Sequence, residues 1–175
     1  MDLVAQGRRP LRAAAPVFDT VNFGEVISRL RRAEGKVRMG LHILRKARLA
    51  GLPSSQDRAA LVQGATALIE RATELGRMVQ TAPEDQPTES EQLVTSRPTR
   101  GHEVQKPLKA TGYQGVAGRL SNAASYILKS ARDLPALLQE VHPLRREKEE
   151  IEERLTRIVA DCLAILRGAG EPSTA

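Results

Sequence analysis

The sequence predicts an all-α protein made of two antiparallel helical hairpins that close into a four-helix bundle. Three observations carry that expectation. Apolar residues recur at steps of three and four in four separate stretches, and Gly and Pro punctuate the places where those stretches end. The chain has 175 residues but only two Phe, two Tyr and no Trp, so its core has to be assembled from Leu, Ile, Val and Ala, which suit close helix-on-helix packing.

Residues 1–20 hold two prolines and no periodicity, and are expected to form a disordered tail. From about Gly24 the pattern is helical: Val26, Leu30, Ala33, Val37, Leu41 and Leu44 draw one apolar stripe, which Gly51 and then Pro53 end. Ser54 or Ser55 is placed to cap a second helix, with Asp57 as the partner in a capping box. That helix carries Leu61, Ala65, Leu68, Ala72, Leu75 and Val79. Its steps alternate between four and three, and the repeat of Leu61, Leu68 and Leu75 marks a seam for a neighbouring helix. A connection of about four residues folds the two helices back as an antiparallel hairpin spanning 21–80.

Residues 81–110 contain four prolines and scattered apolar groups, too few to offset the entropy of ordering them, and read as a flexible linker. A second hairpin is expected over 111–169. Val116, Leu120, Ala123, Ile127 and Leu134 form its first stripe, which Pro135 should kink or break. Pro143 suits the first turn of the last helix. There Leu144, Ile151, Ile158 and Ile165 repeat every seven residues, with Leu155, Cys162 and Ala169 four residues on from the last three, a second seam. Residues 170–175 are expected to form a short tail.

The hairpins resemble each other at an offset of 90 residues: Phe23 falls on Tyr113, Val26 on Val116, Leu30 on Leu120, Val37 on Ile127, Pro53 on Pro143 and Leu61 on Ile151. Ninety residues is a whole number of helical turns, so some apolar coincidence is automatic. The matched aromatic starts and turn prolines are not, and they point to a duplicated hairpin.

Charge is unevenly placed. Residues 26–51 carry eight Arg or Lys and one acid, Glu34, while the whole chain nets +6. On a helical wheel Arg31, Arg32, Lys36, Arg38, Arg45 and Lys46 spread over the side away from the apolar stripe, a half-cylinder able to follow a phosphate backbone. Arg45, Lys46 and Arg48 also have a simpler role as cations in the last turns of a helix. The stretch Leu144–Arg157 is the acidic counterpart. Glu150 with Arg154 and Glu153 with Arg157 make pairs four apart, either self-neutralising or available to a basic partner.

No enzyme signature emerges. His42, His102 and His142 are far apart and show no metal-ligand spacing. Cys162, the single cysteine, sits on a seam as a small hydrophobe and rules out an intramolecular disulfide. The glycines of GYQGVAG, Gly112, Gly115 and Gly118, open a helix, but no strand precedes them and no GK[ST] follows, so packing explains them better than phosphate binding. The sequence therefore predicts a non-enzyme with no cofactor or metal, in a reducing, cytoplasmic setting. No secretory signal and no span of ~20 apolar residues is evident, and a membrane partner is not expected. The function expected first is a scaffold or adaptor that self-associates or binds partner helices. The alternative is sequence-independent binding of duplex RNA or DNA through the basic helix.

Overall fold

The structure, a computed structural model, describes residues 21–84 and 111–170. The expected tail at 1–20, most of the expected linker and all of the expected tail at 170–175 but Gly170, which ends the last helix, lie outside the described residues. Four helices make up the fold: α1 (Phe23–Ala50), α2 (Ser55–Thr81), α3 (Gly112–Glu140) and α4 (Arg145–Gly170). No strand occurs among the described residues, and the architecture is an all-α four-helix bundle.

The helix ends follow from local chemistry. The Asn22 side chain accepts from the Glu25 N–H at 2.8 Å and starts α1 one residue before the apolar periodicity begins at Gly24. The Gly51 N–H closes α1 on the Ala47 carbonyl at 3.2 Å. Ser54, rather than Ser55, caps α2 in a full capping box: the Asp57 N–H donates to Ser54 Oγ at 3.0 Å, and the Ser54 N–H donates to Asp57 Oδ2 at 3.3 Å. At α4 the Glu147 carboxylate accepts from the Leu144 N–H at 2.9 Å. Pro143 thus lies just before the helix and not in its first turn.

Of the two outcomes expected at Pro135, a kink or a break, the break does not occur; the helix runs on to Glu140. Proline there removes one N–H and with it one hydrogen bond to the preceding turn. Leu134 and Leu137, buried on either side, hold the segment against the bundle despite that loss.

Every apolar stripe read from the sequence is buried, and the four stripes meet in one core. The seam residues Leu61, Leu68, Leu75, Ile151, Leu155, Ile158, Cys162 and Ile165 all lie within it. Phe23, Ile27 and Leu137 join them. Full burial of each Leu or Ile contributes about 1.5–3 kcal/mol, so the seams are the main stabilising element.

The helices of each hairpin run antiparallel but do not lie side by side. α1 packs on α3 and α4, and α2 packs on the same two, so the order around the bundle is α1, α3, α2, α4 and each hairpin spans a diagonal. α1 and α3 are antiparallel, with Arg29 beside Asp133 and Gly40 beside Val116. α1 and α4 are parallel, with Arg31 beside Glu150 and Arg38 beside Asp161. α2 and α4 are antiparallel, Arg58 meeting Ala169 and Gly76 meeting Leu155. α2 and α3 are parallel, Gly64 lying on Leu120.

The bounds of the second pair of helices equal those of the first shifted by 90, to within one residue. Thr81 and Gly112 stand at opposite ends of the bundle, about 40 Å apart at 1.5 Å per helical residue. At least about 12 extended residues are needed to join them. A tight turn between the hairpins is geometrically excluded.

Candidate polyanion-binding face

The diagonal arrangement sorts the bases of α1 into two groups. Four are engaged within the chain. Arg29 Nη1 lies 2.8 Å from Asp133 Oδ2 on α3, and Arg31 Nη2 lies 2.9 Å from Glu150 Oε2 on α4. Arg38 reaches Glu34 at 3.2 Å and Asp161 at 3.4 Å. Arg48 donates to the carbonyl of Gly168. Arg31 and Arg38, two of the six bases singled out from the sequence, therefore face α4 with acids already beside them. The acidic stretch at 144–157 does have a basic partner, and it is α1 of the same chain.

Arg32, Lys36, Arg45 and Lys46 have no described acid paired to them. The Arg32 guanidinium lies 6.0 Å from the ring centroid of Tyr126 on α3, a cation–π distance. Lys36 follows Arg32 by four residues and Lys46 by fourteen, which keeps all three on the α1/α3 side of the helix. Arg45 turns to the opposite flank, toward α4, where it borders a depression with Arg48 and Arg167. Lys129, exposed three residues after Tyr126, adds a base from α3 to the same side.

The result is a face bearing Arg32, Lys36, Lys46 and Lys129, about 21 Å long from Arg32 to Lys46 at 1.5 Å per residue. Its one flanking acid on α3, Asp133, is held by Arg29. The α1/α4 side differs in kind. There Glu34, buried, accepts from Arg154 at 2.7 Å and lies 3.8 Å from Arg157, so charges are paired across the interface. The two pairs read on α4 alone are also formed, Arg154 with Glu150 at 3.4 Å and Arg157 with Glu153 at 2.8 Å.

Opposite the basic face, α2 and α4 form a mixed flank that includes Arg77 and Glu152. A shallow depression of about 460 Å³ there is lined by Ala72, Thr73, Gly76, Leu155, Thr156 and Val159, among others. Val62 and Leu163, both exposed, and the half-buried Ile69 and Leu166 continue that flank by helical spacing.

Cys162 is buried in the core, and burial pushes its thiol up to about 12, with the neighbouring Asp161 carboxylate adding to the rise. A thiol held protonated in this way is an inert packing group. His42 is exposed on α1, His142 is exposed in the connection between α3 and α4, and His102 lies outside the described residues. No cluster of three or more His, Cys, Asp or Glu able to hold a metal occurs among the described residues, and none of the described helices is long and apolar enough to cross a membrane.

Tyr126 and Lys129 were not among the residues picked out from the sequence. A signal for them exists: Asn122, Tyr126, Lys129 and Asp133 recur at steps of four, three and four beside the apolar stripe. Their meaning depends on α3 lying next to α1, which periodicity does not encode. No protein-family model, no curated protein and no solved structure matches this chain.

Proposed function

We propose that the protein is a non-enzymatic binding module that holds a polyanion, duplex RNA or DNA gripped through its phosphates, on the α1/α3 face. The observation that supports this most is the grouping of Arg32, Lys36, Lys46 and Lys129 on one side of the bundle with no described acid paired to them. Desolvated ion pairs elsewhere on α1 stabilise the fold. These four make no ion pair among the described residues, and unpaired like charges on one face repel each other until counterions or a ligand neutralise them. A duplex carries one phosphate per 3.4 Å of axis on each strand, so a face about 21 Å long spans several. One half-buried tyrosine, Tyr126, gives little base stacking, so the reading is of phosphate contact without sequence preference.

A labelled 24-base-pair duplex in a mobility-shift titration tests it. Four phosphate contacts give a log–log salt slope of about −3.6, a loss of roughly 100-fold in affinity between 50 and 200 mM salt. Joint replacement Arg32→Glu, Lys36→Glu and Lys46→Glu should abolish the shift while circular dichroism stays unchanged. Absence of any shift at 50 mM salt sinks the reading.

The scaffold reading rests on a different face from the one its seams suggested, because the seams are used inside the chain. It is supported by apolar residues on the α2/α4 flank, where Val62 and Leu163 are exposed on the same side as Ile69, Val159 and Leu166. Sedimentation at several concentrations tests self-association, and Leu163→Glu should abolish any concentration dependence.

A further inference from the structure

At the end of the bundle where α1 and α4 finish, a depression of about 340 Å³ opens between them. Its floor is apolar, made by Leu41, Leu44 and Ala164, and its rim carries three guanidinium groups, Arg45, Arg48 and Arg167, with no acid in the lining. We infer that this is a binding site for a small amphiphilic anion, a single phosphate or carboxylate on a short alkyl chain. The site is separate from the α1/α3 face and does not depend on it.

The bland explanation of these arginines is that they satisfy the carbonyl end of α4. Two arginines already do so: Arg48 donates to the Gly168 carbonyl, and Arg58 Nε donates to the Ala169 carbonyl at 3.2 Å. Arg45 and Arg167, both exposed, are surplus to that task, and no described acid pairs with either. Like charges gathered on one rim are unfavourable, and an anion between them relieves the repulsion with charge-assisted hydrogen bonds.

The floor selects what the anion is attached to. Leu41 and Leu44 are nearly closed off by the bundle and Ala164 is half-buried, so the floor offers a small apolar surface that inorganic phosphate would not use, whereas a short alkyl chain laid on it removes its own surface from water as well, at about 25 cal/mol per Å². Gly168 keeps the depression open and the helices close, since a Cβ there would meet Leu44 Cδ2 at 2.8 Å. The volume stands at the small end of ligand pockets, about 300–1,000 Å³, and fits a headgroup with a short tail.

Octyl phosphate below its micelle concentration, titrated into the isotope-labelled full chain and followed by methyl NMR, tests the proposal. Inorganic phosphate and octanol serve as single-component arms. The expected result is binding at least 10-fold tighter than either, with the largest shifts at the methyls of Leu41, Leu44 and Ala164. Arg45→Ala with Arg167→Ala should weaken it at least 10-fold without moving the urea midpoint. The Arg32→Glu, Lys36→Glu, Lys46→Glu variant should bind octyl phosphate normally, so this site and the polyanion face can fail separately. Shifts elsewhere, equal binding of inorganic phosphate, or no binding would overturn the proposal. Pelleting with phosphatidylglycerol vesicles would overturn the assignment to a free amphiphile.

Discussion

Arg154 Nη1 lies 2.7 Å from Glu34 Oε1, joining the middle of α4 to the middle of α1 through a carboxylate that is only 5% exposed. Arg38 and Arg157 add their charge to the same carboxylate, at 3.2 and 3.8 Å. Removing one partner of a buried pair leaves the other uncompensated and costs about 3–5 kcal/mol in favourable cases. Arg154 keeps some solvent and a second acid, Glu150, so Glu34→Gln should cost about 2–3 kcal/mol in urea unfolding. Replacing both, Glu34→Leu with Arg154→Met, should recover most of that loss. A single replacement that leaves the midpoint unmoved would show that the pair does not hold α1 to α4.

Gly168 and Gly35 should respond in opposite directions to the same added methyl group. At Gly168 the new Cβ meets Leu44, which is buried and has little room to give, so Gly168→Ala should lower stability by about 1–2 kcal/mol. At Gly35, exposed in the interior of α1, nothing lies within 4 Å, and alanine should raise stability by about 0.5–1 kcal/mol. Thermal unfolding of the two variants in parallel reads both signs.

Cys162 gives the fold an alkaline limit. The unfolded thiol titrates near 9.0, and burial raises it to about 12 in the folded chain. Below about pH 9 both states hold the proton, and its contribution to stability is complete. Between about 9 and 12 only the unfolded chain loses the proton, so stability falls as pH rises, by about 2 kcal/mol at pH 10.5. The fall should be shallower by that amount in Cys162→Ala, measured by urea midpoints at pH 8 and 10.5. At neutral pH a thiol reagent should label the native protein only as fast as it unfolds.

Ser130 is fully buried in α3, and its hydroxyl has no hydrogen-bond partner among the described residues. An unsatisfied buried hydroxyl lowers stability, and losing it opens a gap smaller than a methyl group. Ser130→Ala should leave stability unchanged or raise it by up to about 1 kcal/mol. Ser130→Val, which adds bulk where α3 packs in the core, should lower it by about 1–3 kcal/mol.

The four helices, the start of α2 and the core faces were readable from the sequence because each rests on local chemistry. Leu61 to Val79 and Ile151 to Ala169 keep their buried faces through side-chain spacing alone, and Ser54 and Asp57 mark a start without reference to any neighbour. Whether Pro135 ends its helix was not readable in the same way, because the cost of the proline is local whereas the packing of Leu134 and Leu137 that carries the helix past it is not.

What the tertiary structure alone decided is which helix lies beside which. A stripe says that a face is buried and not against what, and the short turn at 51–54 makes α1 and α2 antiparallel without saying that the bundle sets them on a diagonal. That choice brings α1 between α3 and α4. It gives Arg31 and Arg38 to the acids of α4, sets Arg32 over Tyr126, and leaves Lys36, Lys46 and Lys129 facing solvent. Charge count is a property of the sequence, but charge availability depends on distances of a few ångströms between residues about 100 positions apart, and only folding sets those distances.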